Sequence, residues 1–106
     1  MAWYITFYSE KVEKETLAFP TEILADLLHI LEMVEELGPN LGKPHTAPMG
    51  NGLFEIRAKG KEGIGRCFFA TVVYEEIVIL DSFVKKSQKT PKKELDKARK
   101  RLKELK

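Results

Sequence analysis

Residues 53–84 constrain the fold more than any other part of this 106-residue chain. They hold three strand-like runs joined by short links. In the first, 53–59, Phe54, Ile56 and Ala58 alternate with Glu55, Arg57 and Lys59, giving one apolar and one polar face. The runs 64–73 and 77–84 are longer and more apolar. Gly60-Lys61-Glu62-Gly63 links the first pair and Tyr74–Glu76 the second, so a meander of antiparallel hairpins is the economical reading. A symmetric Gly60–Gly63 turn places Arg57 directly opposite Arg66.

The flanking segments complete a single domain over residues 1–106. Residues 2–8 are aromatic and β-branched and predict a first strand. Residues 20–37 predict a helix: Pro20 suits a first turn, Ile23, Leu27, Ile30 or Leu31, Val34 and Leu37 form a stripe, and Gly38-Pro39 supplies the stop. Glu22, Asp26, His29 and Glu36 fall on the opposite, solvated face. The segment 38–52, rich in Gly, Pro and Asn, reads as a loop. Thr90-Pro91 resembles an N-cap and first-turn proline, after which Leu95, Ala98, Leu102 and Leu105 stripe a basic helix. The expected order is β-α-β-β-β-α, an α+β fold with a small, mainly antiparallel sheet and helices packed on it.

Charge divides the chain unevenly. Residues 85–106 carry 11 Lys/Arg against 3 Asp/Glu, a net +8, whereas residues 1–84 carry 7 against 13, a net −6. An acidic body with a basic C-terminal fifth points to a polyanion or an acidic protein as partner. Hydrophobic residues at 43% and charged residues at 32% exclude a disordered or collagen-like chain. Cys67 alone forms no internal disulfide, and two histidines with one cysteine make no closed structural zinc site. No signal peptide is expected in Met1–Glu10, and the stretch Ile23–Leu37 is too interrupted by charge to span a bilayer, so the expectation is a soluble, cytoplasmic protein without a membrane partner.

Three features bear chemistry. Arg57 opposite Arg66 sets like charges together, which a sheet disfavours; either Glu55, two residues along the same face, relieves the conflict, or both guanidiniums address one anion, for which arginine's planar fork suits a phosphate. Lys85, Lys86 and Lys89, followed by Lys92 and Lys93, are either a solvated run or, with the open N–H groups of a helix start, an anion site. Glu55 is either a salt-bridge partner or a general base for a hydroxyl beside a bound phosphate. His45 reads as a loop residue and His29 as a helix surface residue. With no Gly-rich phosphate loop, nucleophile elbow or metal-ligand cluster, neither a cofactor nor a metal is expected.

These residues resemble a known family. Gly52-Leu53-Phe54-Glu55-Ile56-Arg57 looks like the Gly-Leu-aromatic-Glu-Leu-Arg signature of HigB-type, or phage Gp49-like, toxins of the RelE/ParE superfamily. Arg66 then opens an aromatic-rich strand, and Phe83-Val84-Lys85-Lys86-Ser87-Gln88-Lys89-Thr90-Pro91, with Glu94 and Ala98, resembles the family's Phe-x-Lys-Lys-x-x-x-Thr-Pro…Glu…Ala pattern. The resemblance covers about residues 41–102 and implies a RelE-like fold.

It also implies the toxin of a type II toxin–antitoxin pair, a ribosome-dependent mRNA endoribonuclease that needs no metal because the RNA's own 2′-hydroxyl attacks the neighbouring phosphate. The implied catalytic residues are Glu55, Arg57, Arg66 and Lys86. Lys43, Lys59, Lys85, Lys89, Lys92 and Lys93 would contact RNA, and Lys97, Arg99, Lys100, Arg101, Lys103 and Lys106 would form a general docking surface for ribosomal RNA. RelE itself has lysine in place of Glu55 and a C-terminal tyrosine absent here, which leaves the acid role between Lys86 and Lys85, with His45 as an outside candidate. The implied partners are mRNA on the ribosome and a HigA-like helix-turn-helix antitoxin, with DNA met only through that antitoxin. A ParE-like poison of DNA gyrase and a non-catalytic RNA-binding module are the alternatives.

Overall fold

A computed structural model describes residues 3–72, 75–85 and 91–105, with Lys85 described by its backbone alone. The elements are β1 (Tyr4–Phe7), α1 (Glu10–Leu17), α2 (Thr21–Leu37), β2 (Thr46–Gly50), β3 (Leu53–Gly60), β4 (Gly63–Thr71), β5 (Glu76–Lys85) and α3 (Lys92–Leu105). The strands form one sheet in the order β1-β5-β4-β3-β2. The β2–β3, β3–β4 and β4–β5 pairs are antiparallel, and only β1 joins β5 in parallel.

Side-chain alternation sorts the sheet onto two faces. Ile56, Cys67, Phe69, Ile77 and Ile79 pack with Val12 of α1 and Ile23, Leu27, Ile30 and Val34 of α2. Leu53, Phe68, Ala70, Val78 and Leu80 pack on the other side with Ala98 and Leu102 of α3. The α+β class, the meander from β3 to β5 and the apolar stripes of α2 and α3 agree with the sequence reading. Leu37 is the exception in its stripe, 70% exposed at the end of α2.

The order nevertheless differs from β-α-β-β-β-α by two elements. The eight-residue α1 is dominated by Lys and Glu and buries only Val12 and Thr16, so it carries almost no apolar period. It is started by Ser9, whose Oγ accepts from the Val12 N–H at 3.2 Å. Thr16 seats it, sharing a 2.6 Å hydroxyl–hydroxyl hydrogen bond with Ser82 of β5. β2 lies within the segment read as a loop. Pro48 removes one of its donors, a composition tolerated because β2 is an edge strand with a register shift between Pro48 and Gly50.

α2 is drawn tightly onto the β3–β4 turn. Asp26 accepts from the Lys59 N–H at 2.7 Å, and Glu22 accepts from the Lys61 N–H at 3.0 Å. This approach requires glycine at position 60, where a Cβ would stand 2.6 Å from the Ile23 backbone nitrogen and 2.8 Å from the Glu22 carbonyl carbon. Because backbone atoms cannot turn aside as a side chain can, Gly60→Ala is expected to destabilise the fold by about 1–3 kcal/mol, measured as a lowered urea midpoint.

Candidate active site

β3 and β4 hold the centre of the site. Their pairing runs from Leu53–Ala70 to Gly60–Gly63 and sets Arg57 opposite Arg66. The alternation that puts Phe54 and Ile56 under α2 turns Glu55 and Arg57 to the α3 side. There Glu55 answers the like-charge conflict: its Oε1 accepts from Arg57 Nε at 2.9 Å and its Oε2 from Arg66 Nη1 at 2.6 Å.

The three side chains differ sharply in access. Those of Glu55 and Arg66 are 1% and 4% exposed, whereas that of Arg57 is 39% exposed. A buried carboxylate requires compensation by a charge that is buried with it, and Arg66 supplies this. Along the same rungs Glu55 pairs with Phe68 and Arg66 with Phe83, whose rings stand 5.6 Å apart. The Nη1 and Nη2 atoms of Arg57 make no hydrogen bond among the described residues, leaving the outer edge of this guanidinium for a ligand.

Arg57 also lines a cleft of about 270 Å³ together with Asp26, Pro44, His45 and Lys59. His45 lies beside Arg57 across the strands, its carbonyl accepting from the Arg57 N–H at 2.9 Å, and is half-buried rather than free in a loop. Lys59 and Lys43 are exposed at or next to this cleft. Lys59, Ile64 and Lys85 occupy one rung of the sheet, which brings the Lys85 backbone to the same end. Lys92 and Lys93 are exposed on the first turn of α3. Lys86 and Lys89 lie outside the described residues. Among the described residues no group of three His, Cys, Asp or Glu is gathered as a metal ion requires, and no helix is long and apolar enough to cross a membrane.

Three cations of the expected docking surface on α3 also make contacts within the protein. Lys97 faces Asp81 at 3.5 Å and Glu94 at 3.4 Å; Arg99 donates to the carbonyls of Met49 and Gly50; Arg101 donates to the Leu80 carbonyl and lies 5.0 Å from the Tyr8 ring centre. These three cations hold α3 to the sheet and the β2–β3 turn. Lys100 and Lys103 are exposed, the Lys97 side chain is 38% exposed, and Lys106 lies outside the described residues. Asp81, which anchors Lys97 and Arg101, is 1% exposed, and as one acid within an apolar strand it was passed over by the sequence reading. Its signal was the charge itself, which a strand covered on both faces admits only with partners.

A family model for phage-derived Gp49-like proteins (DUF891) matches residues 14–103. The chain belongs to the Gp49-like family. These are toxin-like proteins of toxin–antitoxin systems, in which the partner is an antitoxin. The match spans α2, β2, β3, β4, β5 and all but the last two residues of α3, and it includes Glu55, Arg57, Arg66 and the residues lining the cleft. No curated protein matches the chain.

The Asp81 cluster makes a pH test. Burial first, then the neighbouring Glu94, push the Asp81 carboxyl up to about 7, against the pull of Lys97 and Arg101. An acid that holds its proton more tightly in the folded state adds stability that is full below its ordinary value of 3.8 and is lost as pH rises from there through about 7. Glu94 is shifted down, by its hydrogen bond with Asp81, and so acts only in a more acidic range. Between pH 5 and 8 the urea midpoint of the wild type should therefore fall more than that of Asp81→Asn.

Proposed function

We propose that this Gp49-like protein is the toxin of a type II toxin–antitoxin pair and acts as a ribosome-dependent mRNA endoribonuclease. The observation that carries this reading is the Arg57 guanidinium, held at Nε, without a hydrogen bond at Nη among the described residues, on a residue that lines a cleft with Lys59 and His45. An end-on pair of N–H donors on a fixed strand matches two oxygens of a phosphodiester.

Cleavage requires that a 2′-hydroxyl lose its proton and attack the adjacent phosphorus while the bond to the 5′-oxygen breaks and that oxygen gains a proton. The product is a 2′,3′-cyclic phosphate and a free 5′-hydroxyl. In this scheme Arg57 grips the phosphate and stabilises its growing negative charge. Arg66 contributes from behind, through Glu55, because its own side chain is buried. Lys86 neutralises the transition state or protonates the leaving oxygen. Lys43, Lys59, Lys85, Lys89, Lys92 and Lys93 track the RNA backbone, and a helix-turn-helix antitoxin of the HigA type neutralises the toxin. No cofactor or metal enters the scheme.

Expression in a bacterial host should arrest growth with mRNA cut within translated frames. Arg57→Ala should relieve the arrest and slow cleavage by about 100-fold or more, as loss of a transition-state donor does, while leaving the circular dichroism spectrum unchanged. Full toxicity of the folded variant would refute the assignment of Arg57. A DNA damage response that precedes the fall in translation would favour gyrase poisoning instead. Steeply salt-dependent binding to translating ribosomes without cleavage would identify a binding module.

A further inference from the structure

We propose that Glu55 is a positioning residue, which aims the Arg57 guanidinium at the substrate phosphate and does not itself remove the 2′-hydroxyl proton. This rests on the endoribonuclease reading and assigns a member of the proposed set whose part in the chemistry that reading leaves open.

A base must reach the proton it takes, within hydrogen-bond distance or through one water. Glu55 is 1% exposed, and each of its oxygens already accepts from a guanidinium, at 2.9 and 2.6 Å. Phe68 is its partner across β4, and Phe83 lies on the next strand beyond Arg66. No face of the carboxylate is offered to the cleft, which is lined by Arg57 and not by Glu55.

The arrangement suits another task. Arginine has several rotatable bonds, and a half-exposed guanidinium that must be ordered by its ligand weakens binding by the entropy so lost. Glu55 removes much of that freedom beforehand. It takes the Nε–H of Arg57 and leaves both Nη atoms without a hydrogen bond among the described residues, and these are the pair suited to two phosphate oxygens. Arg66, 4% exposed, is the counter-charge buried with Glu55, 2.6 Å from its Oε2. Strand, buried pair and exposed arginine thus form a chain in which each member fixes the next. Lys59, two residues further along β3, is exposed and makes no side-chain ion pair among the described residues.

The test is single-turnover cleavage of mRNA in the A site of programmed ribosomes between pH 6 and 9, for wild type, Glu55→Gln, Arg57→Ala and the double variant. A positioning role predicts a loss of about 10-fold for Glu55→Gln, a pH profile of unchanged shape, and no further loss when Arg57 is already alanine. A loss of about 1,000-fold with one limb of the pH profile abolished, multiplying with the effect of Arg57→Ala, would identify Glu55 as the base and overturn the proposal. Should Glu55→Gln fail to fold, the pair Glu55→Gln with Arg66→Met removes both buried charges and should show the same 10-fold loss. The wild-type protein gives a separate answer through the nitrogen NMR signal of Arg57 Nε. A rigid, slowly exchanging Nε–H is expected, and a freely mobile one refutes the hold by Glu55. If wild type cuts no mRNA the endoribonuclease reading fails, while the arginine signal still decides whether Glu55 fixes Arg57.

Discussion

Pairing of Gly60 with Gly63 sets β3 and β4 in one register, and the charged centre of the molecule depends on it. Side chains alternate with a period of two, so a slip of one residue in β3 would carry Glu55 and Arg57 beneath α2 and leave Arg66 buried without its carboxylate. The hydrophobic set would move the wrong way at the same step, since Phe54 and Ile56 would leave their contacts with α2. Core packing and charge pairing therefore select the same register. The close seat of α2 against Gly60 adds a third constraint at the turn itself.

Charge is organised differently from its distribution along the chain. The acidic residues of α2 include two, Glu22 and Asp26, that satisfy backbone N–H groups of the β3–β4 hairpin. The cations of α3 include three, Lys97, Arg99 and Arg101, that bind carboxylate or carbonyl groups of the sheet and its turns. What remains turned to solvent is a smaller set on α3, including Lys92, Lys93, Lys100 and Lys103, together with Lys43, Lys59 and the half-exposed Arg57 around the cleft. α2, which carries more acidic residues than any other element, covers the opposite face of the sheet from the Glu55–Arg66 pair.

The parts legible in the sequence were those with strong periodicity. Alternation in 53–59 gave β3 and its two faces, the Gly60–Gly63 turn gave the Arg57–Arg66 rung, and three-to-four spacing gave α2 and α3. Elements held by other means were hidden. α1 is fixed by a serine cap and a buried hydroxyl pair, which leave no apolar pattern. β2 is fixed by hydrogen bonding at an edge, where proline and glycine are tolerated. Within the site, the pairing of Glu55 with both arginines was one of two readings that spacing allowed, and only the depth of burial separates them. The pairing of Lys97 and Arg101 with Asp81 joins residues that are not neighbours in sequence.

The register shift between Phe68 and Phe69 has Leu80 and Asp81 both facing α3, where strict alternation would separate them. It works as a half-period phase shift in β5. Upstream, Ile77 and Ile79 belong to the α1–α2 face; downstream, Ser82 meets Thr16 of α1 while Phe83 meets Phe68 on the α3 side. Had the strand kept its phase, Phe83 would lie under α1 and the aromatic pair beside Glu55 and Arg66 could not form. The extra residue thus lets one strand serve two partners in succession: an apolar layer first, then the charged end of the sheet.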